Sequence, residues 1–476
     1  MTNDTENSQP LYSEVKIPKE LSQFLKRETY SLLIKGHTGT GKTTLALSIL
    51  KELNINKNCL YISTRISPEQ LYQNYPWVES FFVQTKKVEL QETSDIEKKH
   101  RVFVDARLDE SGSLFELITN ELMDVKAPTI VIDTWDAIGS LMDREALVNN
   151  AKVLQTWTER AHAKLIFVRE DPEDNTFDFL VDGIVELKKR HHNERLVREI
   201  SLLKLRGIKI ARPSYTFSLN YSFFHSYEHY NPSQFFNLEY FFSSKHIDRN
   251  ALKNNSAHFS TGYHELDEVL GGGFPVGCTV SVELDTHVNA KISLAFLSKI
   301  IRGFISSQNL LLFQPFEKTN IEVLTKYQKS LGLQKDMVNI LPIAGQTMKS
   351  PPRTDMTTQT EQIQEEISKI KKKNRKKMLL SILNADVLRS VSKTESNKND
   401  LDLLSQIKSN SDLTIFISRR PTDNKHTFVS EMADIRLNIL EIDGTMFLQS
   451  DTPWSHLYAI AIQSDRGHGI ELEPMV

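Results

Sequence analysis

The run Gly36-His37-Thr38-Gly39-Thr40-Gly41-Lys42-Thr43 sets three glycines, a lysine and a hydroxyl at the spacing that can hold a row of phosphates. Phosphate oxygens need several backbone N–H groups converging on them, and Gly36, Gly39 and Gly41 can take the backbone angles that such a turn requires. Lys42 adds a point charge able to reach the outer phosphates, and the Thr43 hydroxyl is of the type that ligates a nucleotide's magnesium. The pattern Gly-x-x-x-x-Gly-Lys-Thr is complete, an apolar run precedes it and a helix-patterned run follows it, so it reads as a P-loop whose contacts come from Gly36 through Thr44. A helix starting near Gly41 aims its positive end at the anion.

A second chemical group belongs with the first. Thr129-Ile130-Val131-Ile132 is a strand-like run that ends in Asp133, where a P-loop fold places the carboxylate that orients magnesium and its waters. An aspartate after a strand is also an ordinary helix cap. With the P-loop upstream, Thr43 and Asp133 are expected as the metal-side pair of a Mg2+–ATP site.

The elements that must position these residues follow in alternation. Strands are predicted over 29–35, 58–63, 127–133 and 164–168, and helices over 42–53, 111–125 and 145–162. That order predicts an α/β fold with a mostly parallel, doubly wound sheet. The pattern then turns to β-type runs at 183–189, 196–205 and 215–219, with the charged turn Arg190-His191-His192-Asn193-Glu194 between the first two: an antiparallel β tail.

The whole chain sets bounds on class. A length of 476 residues suggests two or three domains, and 39% hydrophobic residues suffice for ordinary cores. No apolar run approaches the roughly eighteen residues of a membrane helix. Met1 to Pro10 is polar, unlike a secretory leader, so a cytoplasmic protein without membrane attachment is expected. Two cysteines, Cys59 and Cys278, exclude a disulfide framework, and a net charge of −3 leaves any nucleic-acid binding to a local patch.

The segment Lys204-Leu205-Arg206-Gly207, followed by Pro213-Ser214-Tyr215-Thr216-Phe217, resembles the end of a KaiC-like domain of the RecA superfamily of ATPases. The resemblance implies ATP bound between neighbouring subunits of a homo-oligomeric ring or filament. It also implies catalytic roles for Lys42 within one subunit and for Lys204 and Arg206 reaching across to the γ-phosphate held by the next. One departure stands out. Where KaiC-like proteins carry paired glutamates after the second strand, one of which activates the attacking water, this chain has Arg65 and Ile66. Arginine cannot act as a base at neutral pH. Glu69, Asp136 and Glu170 are the alternatives, and slow hydrolysis is expected.

The second half repeats the first. His258 to Gly277 closely resembles the stretch that opens a KaiC-like domain, and an apolar run and a helix-like run follow. Setting Lys291 on Lys42 aligns Leu294-Ala295 with Leu45-Ala46, but the intervening Asp285-Thr286-His287-Val288-Asn289-Ala290 has none of the cradle's glycines. Ile292 cannot ligate magnesium, and Ser381 or Asn384 stands where the acid of the Asp133 type belongs. The predicted organisation is thus two tandem RecA-like domains, each a mostly parallel doubly wound sheet with an antiparallel β tail, the second with a degenerate P-loop. The expected bounds are 1–222 for the active domain, 223–257 for an aromatic-rich linker, and 258–476 for the degenerate domain with a flexible basic insertion near 345–377.

The aromatics of 221–242 are expected to pack, because cations are nearly absent there and single-stranded nucleic acid needs both rings and charge. The run Lys371-Lys372-Lys373-Asn374-Arg375-Lys376-Lys377 closes an expected exposed helix, and a second cluster lies at 188–192. The Ser-Thr-Arg strand end and the single intact cradle resemble the archaeal gas-vesicle regulator GvpD branch, which implies nucleotide-dependent control of a protein partner such as a transcription factor. Two rivals stand beside it: an accessory ATPase of DNA recombination or repair, and an ATP-stabilised scaffold without turnover.

Overall fold

The structure is a computed structural model that describes residues 15–88, 103–107, 125–139, 159–235, 237–243, 256–315, 318–330, 335–341, 357–385, 405–420, 428–463 and 469–476, with isolated positions between 118 and 156. Most of the expected helix over 111–125, half of that over 145–162, Phe236 and residues 345–356 lie outside the described residues. The chain divides into two compact units, Met1–Glu228 with Met475–Val476, and His229–Pro474.

The first unit is built on a nine-stranded sheet of β1 (Tyr30–Lys35), β2 (Cys59–Ser63), β3 (Phe103–Asp105), β4 (Thr129–Asp133), β5 (Lys164–Arg169), β6 (Gly183–His192), β7 (Arg195–Leu205), β8 (Ser214–Ser218) and β9 (His225–Ser226). Its order is β3-β2-β4-β5-β1-β6-β7-β8-β9. Strands β1 to β6 pair in parallel, and β6 to β9 pair antiparallel. Every residue of β1, β2 and β4 is buried, as near-continuous apolar strands covered on both faces must be. The helix Lys42–Glu52 buries Leu45, Ala46, Ile49 and Leu50 with the sheet in one core. Each such side chain contributes about 1.5–3 kcal/mol when fully removed from water.

The tail differs in detail from the expectation. Strands β6 and β7 run on through the charged stretch, and only Asn193 and Glu194 make the turn, at φ 47° and 64°. Two successive residues at positive φ match the right-handed twist of a hairpin. The short strand β3 carried no sequence signal, because three residues show no periodicity.

The second unit repeats this order with its own residues. After a small hairpin of β10 (His258–Phe259) and β11 (Phe274–Pro275) come β12 (Thr279–Leu284), β13 (Leu310–Phe313), β14 (Val338–Ile340), β15 (Leu379–Asn384), β16 (Leu413–Arg419), β17 (Ile435–Ile442), β18 (Thr445–Thr452), β19 (Tyr458–Gln463) and β20 (Gly469–Pro474). The sheet runs β14-β13-β15-β16-β12-β17-β18-β19-β20, with β12 standing where β1 stands in the first sheet and β15 where β4 stands. Two α/β domains with one topology form the chain.

The aromatic stretch joins two cores. Phe223 and Phe224 are buried in the first unit, where Trp77 stacks on Phe223 with centroids 5.1 Å apart, and Phe235, Phe241 and Phe242 are buried in the second. Residues 357–373, expected within a flexible insertion, form a helix that is not wholly exposed: Ile363, Ile367 and Ile370 are buried against Leu310, Leu379 and Phe416. The apolar residues fall at i, i+4 and i+7, which puts them on one face and leaves the lysines on the other.

Candidate functional site: a phosphate cradle at the end of β1

Strand β1 ends at Lys35 in the middle of the sheet, and the chain turns through the glycine-rich loop into the helix Lys42–Glu52. The glycines are dictated by geometry. Gly36 has φ 150°, and a Cβ there would lie 2.4 Å from the carbonyl oxygen of Leu187 and 2.9 Å from the Thr40 hydroxyl. At Gly41, with φ 103°, it would lie 2.7 Å from Leu219. Gly39 has φ 78° in open space. The loop therefore presses its backbone against β6 at one end and against the residue that follows β8 at the other.

Within the loop, Thr40 donates its N–H and hydroxyl to the His37 carbonyl, at 3.3 and 2.8 Å. The Lys42 ammonium donates to the same oxygen at 2.9 Å, so its charge lies over the loop. His37, Thr38 and Gly39 are exposed, whereas Gly36 and Thr40 are buried. The Thr44 hydroxyl faces the Tyr75 hydroxyl at 3.0 Å on the buried side of the helix.

The structure brings Thr43 and Asp133 together. The Thr43 hydroxyl donates to Oδ2 of Asp133 at 2.7 Å, and the Tyr61 hydroxyl donates to that oxygen at 2.7 Å as well. Asp133 is buried, and burial raises its pKa against the opposing effect of the Tyr61 and Thr43 hydrogen bonds. Burial also lowers the Lys42 pKa, while the charge of Glu170, then of Asp133, works the other way. The Tyr61 phenol is raised well above its ordinary range, first by burial and then by Asp133, so it remains a donor.

These residues fit Mg2+ and a nucleoside triphosphate. Side chains at Gly36 and Gly41 would fill the cradle's supports, a buried carboxylate faces a threonine hydroxyl, and a lysine overhangs the loop. Thr43 and Asp133 would hold the metal, directly or through its waters, and its charge would offset that of the phosphates.

Lys204 and Arg206 make contacts within their own unit. Lys204 donates to the carbonyls of Asp178 and Val181, at 2.8 and 2.7 Å, and Arg206 pairs with Asp182 at 2.9 Å while its side chain remains 63% exposed. Both tie the segment before β6 to the end of β7.

Two supporting residues escaped the sequence reading. Tyr61 lies two residues before the end of β2, and strand alternation beside Asp133 was the signal that could have found it. Arg198 is buried on β7 and donates to the carbonyls of Gly39 and Thr40, at 3.0 and 3.4 Å, and to the Val476 carbonyl at 2.6 Å. Arg198 thus holds two of the loop's carbonyls from outside the loop. No local pattern marks an arginine for that task.

The corresponding loop of the second unit is built otherwise. Asp285 accepts from the Thr286 N–H, Asn289 accepts from the Lys291 N–H, and Arg419 donates to the carbonyls of Thr286 and Val288. Ile292 is fully buried in the core, and β15 contains no carboxylate; its Ser381 hydroxyl meets that of Ser411 at 2.8 Å. With the Thr286 and Lys291 N–H groups taken by Asp285 and Asn289, two of the N–H groups that could meet a phosphate are already capped.

The family model of the GvpD gas vesicle protein P-loop domain matches residues 21–203. The chain is 28% identical to Protein GvpD1 of Halobacterium salinarum over 304 residues, which are 62% of this chain and 55% of that protein. It is 24% identical to Protein GvpD2 of the same organism over 308 residues, 61% of this chain and 59% of that protein. Against the circadian clock oscillator protein KaiC 1 of Synechocystis it is 23% identical over 356 residues, 71% of this chain and 63% of the relative. The chain thus spans a little over half the length of these curated relatives. Among the described residues no helix is long and apolar enough to cross a membrane. Residues 21–203 match the P-loop domain of the GvpD family model, and the chain is similar to GvpD and KaiC proteins of the P-loop ATPase class.

Proposed function

We propose that the first domain binds Mg2+–ATP at Gly36 to Thr44 with Thr43 and Asp133 on the metal side, hydrolyses it slowly, and uses the bound state to control a protein partner. The observation that carries this reading is the Thr43–Asp133 contact beside an intact glycine loop, set against a second domain whose loop has neither glycine nor carboxylate partner. One working site and one silent copy suit a switch better than a motor. The description of the matching family model, a GvpD gas vesicle protein, supports an output connected with gas vesicles; a transcription factor is the class of partner we propose for it.

In this reading nucleotide sits between subunits of a homo-oligomer. Arg206 is exposed enough to exchange Asp182 for a neighbour's γ-phosphate, and Lys204 supports the same strand end. The DNA-binding rival draws less support, because Lys371 and Lys373 of the basic run are engaged by Asp412 and Asp336.

The test measures ATP binding and turnover for the wild type, Asp133→Asn and Arg206→Ala. Wild type is expected to bind ATP in a magnesium-dependent way and to turn over slowly, with Asp133→Asn losing the magnesium dependence. An equimolar mixture of Arg206→Ala with Lys42→Ala should regain activity that neither has by itself, since the defects lie on opposite sides of one interface. A wild type that binds no ATP sinks the reading, and a mixture without recovery sinks its interface part.

A further inference from the structure

Strand β5 lies between β4 and β1, with Val168 opposite Asp133 and Arg169 opposite Lys35. The next residue, Glu170, therefore leaves the sheet between the metal-side carboxylate and the start of the glycine loop. Its N–H donates to Oδ2 of Asp136 at 2.6 Å, which fixes its backbone. Among the charges that favour protonated Lys42, Glu170 acts most strongly, ahead of Asp133. Its Oε2 is engaged by the Arg65 guanidinium, and Oε1 has no hydrogen-bond partner among the described residues. Arg65 itself is half exposed on a side chain long enough to move.

The other acids are committed elsewhere. Both oxygens of Asp136 are occupied, by Arg169 at 3.0 Å and by the Glu170 N–H. Glu69 lies fully exposed on the helix Pro68–Asn74, and the charges acting on it are those of Asp105 and Arg107 rather than those of the cradle.

We propose that Glu170 is the general base for ATP hydrolysis and that Arg65 controls it, turning from the Glu170 carboxylate to the terminal phosphate when ATP is bound. The phosphate beside Lys42 competes for the guanidinium, and the carboxylate it leaves accepts the proton of the attacking water. The water oxygen then bonds to the γ-phosphorus as the bond to the bridging oxygen breaks; ADP keeps that electron pair, and the proton passes from Glu170 to solvent. The arginine that stands after β2, where the family pattern has an acid, thereby couples the base to nucleotide identity: ADP, without the terminal phosphate, leaves the pair closed.

This assignment rests on the reading that the first domain hydrolyses ATP, so binding and turnover are measured side by side. Glu170→Gln should lower turnover about 100-fold, the lower end of what a positioned base supplies, with ATP affinity within about threefold of wild type as the check on folding, and Glu170→Asp should restore part of the rate. Arg65→Ala should bring the affinities for ATP and ADP to within about twofold of each other, whereas wild type prefers ATP about tenfold, one charge-assisted contact's worth. Undiminished turnover in Glu170→Gln, or an unchanged ATP-to-ADP preference in Arg65→Ala, overturns the proposal. A wild type without turnover overturns the hydrolysis reading beneath it.

Discussion

The Thr43 hydroxyl donates to Oδ2 of Asp133 across 2.7 Å, joining two side chains that are 90 residues apart in the chain. The same oxygen accepts from Tyr61. A buried carboxylate held by two hydroxyls has exchanged water for fixed donors, and removing either donor exposes the cost of its burial. Tyr61→Phe is expected to lower stability by about 1–2 kcal/mol while ATP still binds. Urea unfolding and nucleotide titration of the same sample check both statements, and unchanged stability would show that the Tyr61 hydroxyl bears no part of that cost.

The glycines of the cradle are unequal. At Gly36 a methyl group meets backbone, the Leu187 carbonyl, at 2.4 Å, so the strand or the loop must shift; at Gly39 it meets nothing within 4 Å. Gly36→Ala is expected to abolish ATP binding and to lower the melting temperature by several degrees, the strain at a forbidden contact being of order 1–3 kcal/mol. Gly39→Ala pays chiefly the left-handed backbone cost of about 1 kcal/mol and should keep measurable ATP binding. Equal effects would show that the Leu187 contact is not what constrains the loop.

The duplicated lysines separate the domains. Lys42→Ala is expected to abolish the thermal stabilisation by ATP, whereas Lys291→Ala, in a loop held by Asp285, Asn289 and Arg419, should leave it intact. Saturating ligand at about 100 times its dissociation constant stabilises by about 2.7 kcal/mol, a shift readily seen by differential scanning fluorimetry. A loss of stabilisation in Lys291→Ala would place nucleotide in the second domain.

Acid should weaken the first domain through Asp174. Burial raises the pKa of this carboxyl, but hydrogen bonds from Thr176 and Arg169 outweigh it and hold the value at about 2. A depressed carboxyl stabilises the fold fully above its unfolded pKa of about 3.9 and loses that contribution as the pH falls toward 2. Asp174→Asn is therefore expected to cost about 1–2 kcal/mol at pH 7, after allowance for partial exposure, and almost nothing at pH 2. Unfolding free energies of both proteins across that interval check the sign, and a gap that persists at pH 2 would assign the effect to packing.

Much of the site was legible because phosphate binding constrains neighbours in sequence. A P-loop of the kind proposed for Gly36 to Thr44 works through consecutive backbone N–H groups, so its pattern is local and survives in one dimension. Asp133 was legible at one remove, through an apolar run that had to be a buried strand. The basic helix was misjudged as exposed because its charges mask the spacing of Ile363, Ile367 and Ile370, which becomes decisive only against the Leu379 strand. Arg198 and Tyr61 were missed because their partners come from other strands.

By itself the sequence determined that one half of this protein carries a complete phosphate cradle and that the other has lost its glycines, since a glycine's backbone freedom is a property of the residue. Which acid stands beside the cradle was decided by the sheet. The order β4-β5-β1 sets Glu170 between Asp133 and Gly36, and Arg65 reaches it from the bend that follows β2. Such neighbours are made by hydrogen bonds between strands far apart along the chain, and no spacing within the chain records them.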